Sequence, residues 1–163
     1  MEPARSGAAQ VVALVVFLGL SFGAAAIGGA FTARSVSDWY PRLAKPAWTP
    51  DPSVIGLAWT LLYPAIGVAG WLIWRAGPSR AASIALSCWA AQMILNAAWS
   101  GLFFGLRSPR AGVLGIALLL MAIAATIWTS WRVSPGAAWL FLPYLGWVCF
   151  AGALNVAIWR LNV

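Results

Sequence analysis

The sequence predicts an all-α membrane protein, a five-transmembrane-helix bundle forming one domain over residues 1–163, and three observations predict it. Hydrophobic residues make up 63% of the chain and charged residues only 8%, so ten cations and three carboxylates would have to cover the surface of a soluble domain, which they cannot do. Five apolar stretches without internal charge are each long enough to cross the hydrocarbon core, a passage that takes about 20 helical residues. The breaks between the last four stretches are short and built from turn formers and arginine: Arg75-Ala-Gly-Pro-Ser-Arg80, Arg107-Ser-Pro-Arg110 and Arg132-Val-Ser-Pro-Gly136.

The first span is placed at 8–31. A signal peptide would have an apolar region of about 7 to 15 residues, whereas this run continues through AAAIGGAF, so it is read as a membrane helix. Its Gly19-x-x-x-Gly23 pair indicates close helix packing. The first loop, 32–52, is the longest connection and contains the stretch WYPRLAKPAWTP. Pro41, Pro46, Pro50 and Pro52 fix their own φ and push the preceding residues out of the helical region, which makes the loop stiff. It is either a cap over the bundle or an interfacial connector. As a cap, Trp39, Tyr40 and Trp48 would supply apolar cover, Arg42 and Lys45 would stand at a cavity mouth, and Pro46 would hold the shape. The remaining spans are placed at 53–74, 81–106, 111–131 and 136–159, and their short connections make neighbours antiparallel.

Five spans put Arg34, Arg42, Lys45, Arg107, Arg110 and Arg160 on one side, against Arg5, Arg75, Arg80 and Arg132 on the other. That asymmetry favours a cytoplasmic first loop. The net charge of +7 is scattered singly at helix ends, without the basic stripe that nucleic acid requires, so no nucleic-acid partner is expected. The cations read as anchors at the headgroups of membrane lipid. Catalytic classes are restricted by the absence of histidine, which removes imidazole bases, Ser-His-Asp triads and most metal sites. The three carboxylates, Glu2, Asp38 and Asp51, fall outside the spans, so no buried acid/base pair or proton relay is expected. Cys88 and Cys149 lie in separate spans without neighbouring ligand types and read as small apolar residues; no metal site is expected.

Polar residues at membrane depth are few and regularly spaced. Gln92, Asn96, Trp99 and Phe103 follow i, i+4, i+7 and i+11 in the third span. Tyr144, Trp147, Ala151 and Asn155 follow i, i+3, i+7 and i+11 in the fifth, and Trp59 and Tyr63 form an i, i+4 pair in the second. Amides facing lipid are costly, so Gln92, Asn96 and Asn155 are expected to point inward. They serve either as interhelical hydrogen-bond glue, which spacing alone favours, or as the lining of a ligand cavity. Of the twelve tryptophans, Trp71, Trp74, Trp128, Trp131 and Trp159 lie near span ends and read as belt anchors. Trp59, Trp99 and Trp147 lie deeper, where a flat aromatic beside an amide suits a large planar ligand with an apolar body and polar tips.

Four segments together resemble the TspO/MBR family, that of the translocator protein or peripheral-type benzodiazepine receptor. Trp39 to Pro50 resembles its first-loop signature and Ala58 to Tyr63 its second-helix motif. Gln92 to Phe104 and Pro143 to Asn155 resemble those of the third and fifth helices, all in the family's order. The resemblance implies a five-helix bundle, usually a homodimer, with a cavity beneath the first loop. It also implies ligands: the tetrapyrroles protoporphyrin IX and haem, synthetic isoquinoline carboxamide or benzodiazepine-type compounds and, in animal mitochondria, cholesterol. Carried over motif by motif, the ligand-binding residues are Tyr40, Trp59, Gln92, Asn96, Tyr144, Trp147 and Ala151, beside the inward Asn155. The animal sterol pattern is incomplete, because Leu154 to Arg160 has Val156 at the tyrosine position, which favours a tetrapyrrole over cholesterol.

Three functions are therefore expected in order: a porphyrin sensor, regulator or carrier in the membrane; a light- and oxygen-dependent porphyrin-degrading catalyst with Trp147 as the oxidisable catalytic residue indicated by the resemblance; and a transporter. No inverted repeat or broken pair of spans supports the last. The bacterial inner and outer membranes both remain open.

Overall fold

The structure, a computed structural model, describes residues 6–163, so Glu2 and Arg5 lie outside the described residues. Five helices are long and apolar enough to cross a membrane. They are α1 (Gly7–Val36), α2 (Pro52–Arg75), α3 (Arg80–Ser100), α4 (Pro109–Trp131) and α5 (Pro135–Leu161). A π turn, Gly101–Gly105, prolongs α3, and a single 3-10 turn, Tyr40–Arg42, sits in the first loop.

Starts are set by local chemistry. Ser6, Ser79 and Ser108 each accept a hydrogen bond from the backbone N–H three residues on, satisfying a donor that the first helical turn leaves free. Proline opens α2, α4 and α5, where its missing N–H is not needed. The first helix ends later than hydropathy indicates, at Val36 rather than 31, so that Arg34 lies in its last turn and the loop shrinks to 37–51. Polar side chains account for the extension: Thr32 donates to the Gly28 carbonyl, and Ser35 donates to the carbonyl of Phe104 in the π turn at 2.7 Å.

The helices close a ring in the order α1, α2, α5, α4, α3, each packing on the next and α3 returning to α1. Inside it a core runs from Ile73, Ala137 and Phe141 through Ile66, Trp89, Leu119 and Ile123 to Tyr144 and Val148. Close approach of α1 and α2 occurs at Gly70, where a Cβ would stand 2.7 Å from both Phe17 and the Trp89 ring. The Gly19/Gly23 pair does not serve this purpose within the chain: a Cβ at either would meet nothing within 4 Å, because that face of α1 points away from α2 and α3. Lipid-facing surfaces carry exposed Val, Leu and Ile, and the tryptophan belt is plain at the end opposite the first loop. There Trp128 is 69% exposed with the Arg132 guanidinium 5.4 Å above its ring, and Arg75 lies 5.1 Å from the Trp71 ring.

The first loop is tied to the end of α5 by a two-way amide clasp. The Ala44 N–H donates to Asn162 Oδ1 at 2.9 Å, and Asn162 Nδ2 donates to the Ala44 carbonyl at 2.9 Å and to the Ile158 carbonyl at 2.7 Å. Replacing Asn162 by Ala removes both bonds to the loop, each contributing about 1 kcal/mol net. Amide hydrogen exchange of the segment around Ala44 is expected to accelerate roughly thirty-fold with the helices unaffected. Unchanged exchange would mean that ring contacts alone hold the loop.

Candidate functional site

The centre of the bundle is organised by Asn96. Its Oδ1 accepts from the Tyr63 hydroxyl at 2.8 Å, and its Nδ2 donates to the Tyr144 hydroxyl at 2.9 Å, so one α3 amide joins α2 to α5. Trp59 stacks on Tyr63 with ring centroids 5.1 Å apart and meets Tyr144 edge-on at 6.2 Å. Tyr144 is fully buried. Both tyrosines adjoin an in-helix proline, Pro64 in α2 and Pro143 in α5, and each proline deprives its helix of one backbone hydrogen bond. At the same depth the Ser21 hydroxyl donates to the Tyr63 carbonyl at 2.7 Å and fixes α1 there.

One turn deeper, Trp89 donates its indole N–H to the Ile66 carbonyl, and Gln92 Nε2 donates to the Trp89 carbonyl within its own helix. Gln92 Oε1 is buried without a partner. Trp147, three residues after Tyr144, likewise buries its indole Nε1 without a partner. Its ring lies 5.5 Å from Phe150, and Phe150 in turn meets Trp48 of the first loop at 5.7 Å. Ala151 is half-buried beside this group. The loop thus touches the site wall through an arc of Trp48, Phe150 and Trp147.

Asn155 and Tyr40 belong to a second cluster nearer the loop end, and the structure does not bring them to Asn96. Asn155 lies about 16 Å along α5 from Tyr144 at 1.5 Å per residue. Its Oδ1 accepts from the Trp99 indole at 3.2 Å and its Nδ2 donates to the Pro109 carbonyl at 2.8 Å, joining α3, α4 and α5. Gly112 gives it room, since a Cβ there would stand 2.6 Å from Oδ1. Trp99 stacks on Phe103, and Trp39 and Tyr40 pack edge-on against Phe103 at 5.6 and 6.3 Å. Burial raises the Tyr40 phenol above its ordinary pKa.

The loop cations are disposed differently from one another. Lys45 does not project over the site: its ammonium turns back to the Pro41 and Leu43 carbonyls, at 3.3 and 3.0 Å, and lies 4.8 Å above the Tyr40 ring. Arg42 is exposed at the end of the 3-10 turn, and Pro46 accepts through its carbonyl from both the N–H and the hydroxyl of Thr49. Sequence reasoning passed over three participants. Tyr63 was visible as the i+4 partner of Trp59 but not as a ligand of Asn96. Phe150 sits three residues from Trp147, and Asn162 follows the last apolar run without periodicity to mark it.

The chain matches the sequence pattern of the TspO/MBR family over residues 13–160. It is 41% identical to the Tryptophan-rich protein TspO of Archaeoglobus fulgidus over 93% of this chain and 95% of that one. It is 37% identical to the Translocator protein of Homo sapiens, covering 83% of this chain and 82% of the relative. To the Tryptophan-rich sensory protein of Cereibacter sphaeroides it is 34% identical over 77% of each. With its five membrane-crossing helices and a match of this extent, the chain is an integral, multi-pass membrane protein and belongs to the TspO/MBR family.

Proposed function

We propose that this protein binds a tetrapyrrole, protoporphyrin IX or haem, at the Asn96 cluster and acts as a membrane sensor or regulator of porphyrins. The observation that carries the reading is that two of the three buried side-chain atoms without a partner among the described residues, the acceptor Gln92 Oε1 and the donor Trp147 Nε1, flank the Asn96 cluster, the third being Ser130 Oγ at the far end of α4. An unsatisfied buried polar group costs about 1 to 3 kcal/mol, and a planar ligand with polar edges would remove that penalty while its body stacks on Trp59 and Trp147. The relative named as a sensory protein supports the regulatory role. Isoquinoline carboxamide and benzodiazepine-type compounds, also aromatic with polar edges, are expected to compete for the same rings, and the working unit is a homodimer, as in the family.

Rings and hydrogen bonds fill the centre of the site, so a ligand enters by parting Trp48 from Phe150 and rotating Trp147 outward. Loop opening therefore limits both entry and release. A second reading, light- and oxygen-dependent degradation of the bound porphyrin, is favoured by Trp147: its oxidisable indole is half-buried on the wall, with no hydrogen bond to hold its buried N–H.

Titration of the purified protein with protoporphyrin IX should quench tryptophan fluorescence beyond the level seen with free tryptophan. Trp59→Ala and Trp147→Ala should each weaken binding by about 1 to 3 kcal/mol, the worth of a buried aromatic, whereas Trp131→Ala on the exposed belt should leave it unchanged. Three equal affinities would remove the site from the Asn96 cluster.

For the second reading, illumination in air should bleach bound porphyrin faster than porphyrin in empty micelles, with none lost in the dark. Trp147→Phe, compared at matched occupancy, should slow bleaching more than it weakens binding. Equal bleaching rates would leave the protein a binder.

A further inference from the structure

Between α1 and the π turn, at the loop end of the bundle, lies a crevice of about 320 Å³ lined by Phe31, Arg34, Ser35, Gly101, Gly105, Leu106 and Arg107. It is separate from the Asn96 cluster and shares no residue with it. The π turn builds it. Here hydrogen bonds span five residues instead of four, from the Leu106 N–H to the Gly101 carbonyl at 2.8 Å and from the Ser108 N–H to the Phe103 carbonyl at 3.1 Å, which widens the helix. The Phe104 carbonyl takes the Ser35 hydroxyl and so locks the two walls together. Glycines at 101 and 105 leave the floor to the Phe31 ring. Arg107, two residues past the turn, has φ 51°, a left-handed conformation that costs a non-glycine residue about 1 kcal/mol or more, and its side chain lines the crevice.

The chemistry of the lining is divided. Phe31, Leu106 and the glycines are apolar, while Arg34 and Arg107 supply two guanidiniums at the level where the helices leave the membrane. Arg107 is paired with Asp38 at 2.7 Å, both side chains about half exposed, whereas Arg34 makes no ion pair among the described residues. The same end of the bundle carries Arg42, Lys45, Arg110 and Arg160, against the carboxylates of Asp38 and Asp51, so its charge is positive. A zwitterionic headgroup would bring a cation into this field, and a soluble anion would leave the apolar floor bare.

We propose that this crevice seats one anionic phospholipid, its acyl chain against Phe31 and Leu106 and its headgroup phosphate between Arg34 and Arg107. Arg34 supplies the uncompensated charge, and the guanidinium fork matches phosphate oxygens.

The test is native mass spectrometry of the delipidated full chain titrated with phosphatidylglycerol and phosphatidylcholine of the same acyl length. The wild type should retain one phosphatidylglycerol in preference to phosphatidylcholine. Arg34→Gln should reduce that preference about five-fold, the weight of one cation beside an anionic headgroup, and Arg34→Lys should keep most of it. Arg160→Gln removes the same charge from the same end but away from the crevice and should leave the preference intact. Absence of a preference in the wild type, or equal losses in Arg34→Gln and Arg160→Gln, overturns the proposal, the second by making the preference a property of the whole basic face. Displacement of the lipid by millimolar glycerol phosphate would reduce the crevice to an anion site and overturn it too. Arg34 is exposed, so its replacement leaves folding intact, which an unchanged circular dichroism spectrum and melting temperature verify.

Discussion

A polar group at membrane depth has no water to turn to, and the arrangement of this bundle follows from how its few amides meet that constraint. Asn96 meets it completely across helices, taking one phenol and giving to another, so that α2, α3 and α5 are fixed in relative height as well as in facing. Asn155 does the same for α3, α4 and α5 one level nearer the loop. Two amides, placed eleven residues beyond Tyr144 on one helix and three before Trp99 on another, therefore set the register of four of the five helices. α1 joins through hydroxyls instead, Ser21 to the Tyr63 carbonyl and Ser35 to the Phe104 carbonyl. Gln92 and Trp147, and Ser130 at the end of α4, each leave a buried atom unsatisfied, and of the three the first two flank Asn96.

The distinction between glue and lining, which spacing leaves open, dissolves in the geometry. Asn96 is glue by its bonds, yet the phenols that it holds are the walls on which Trp59 stacks. An amide that fixes the rings of a site is part of that site's preorganisation whether or not a ligand touches it. Gln92 is different in kind, since its donor is used within its own helix and its acceptor points into the interior unmatched.

Much of this was legible in the residues. Composition and run length mark five spans because the hydrocarbon core has a fixed thickness, and the 4-7-11 spacing of α3 and the 3-7-11 spacing of α5 select inward faces because a helix repeats every 3.6 residues. Periodicity along one helix gives a face, however, and not the partner that meets it. Hence spacing places Asn155 on one face with Tyr144, and the resemblance adds Tyr40 to them, although Asn155 and Tyr40 both pack at another depth around Trp99 and Phe103. The π turn was hidden because its five-residue hydrogen bonds leave no mark in hydropathy. The clasp on the first loop was hidden because Asn162 binds the backbone of Ala44, a partner 118 residues away with no side chain to signal it. Lys45 illustrates the opposite error: a cation between prolines looked available, but the turn of Pro41 to Leu43 presents two bare carbonyls close by, and they take it.

The energies of these contacts bear on whether a site this full can admit a guest. Interhelical hydrogen bonds within a membrane contribute about 0.6 kcal/mol on average and aromatic pairs about 0.5 to 1.5 kcal/mol, so each link in the Trp48, Phe150, Trp147 arc is weak when taken singly. Against them stand two unsatisfied buried groups, each worth about 1 to 3 kcal/mol when paired. Opening the arc thus forfeits no more than pairing Gln92 and Trp147 can return, whereas separating Asn96 from both tyrosines would also strand an amide in a nonpolar interior. The bundle can therefore yield at the loop arc and hold at Asn96. Opening is directed to the first loop because its clasp to Asn162, beyond the end of α5, is exposed, so water can replace each of those hydrogen bonds as it breaks.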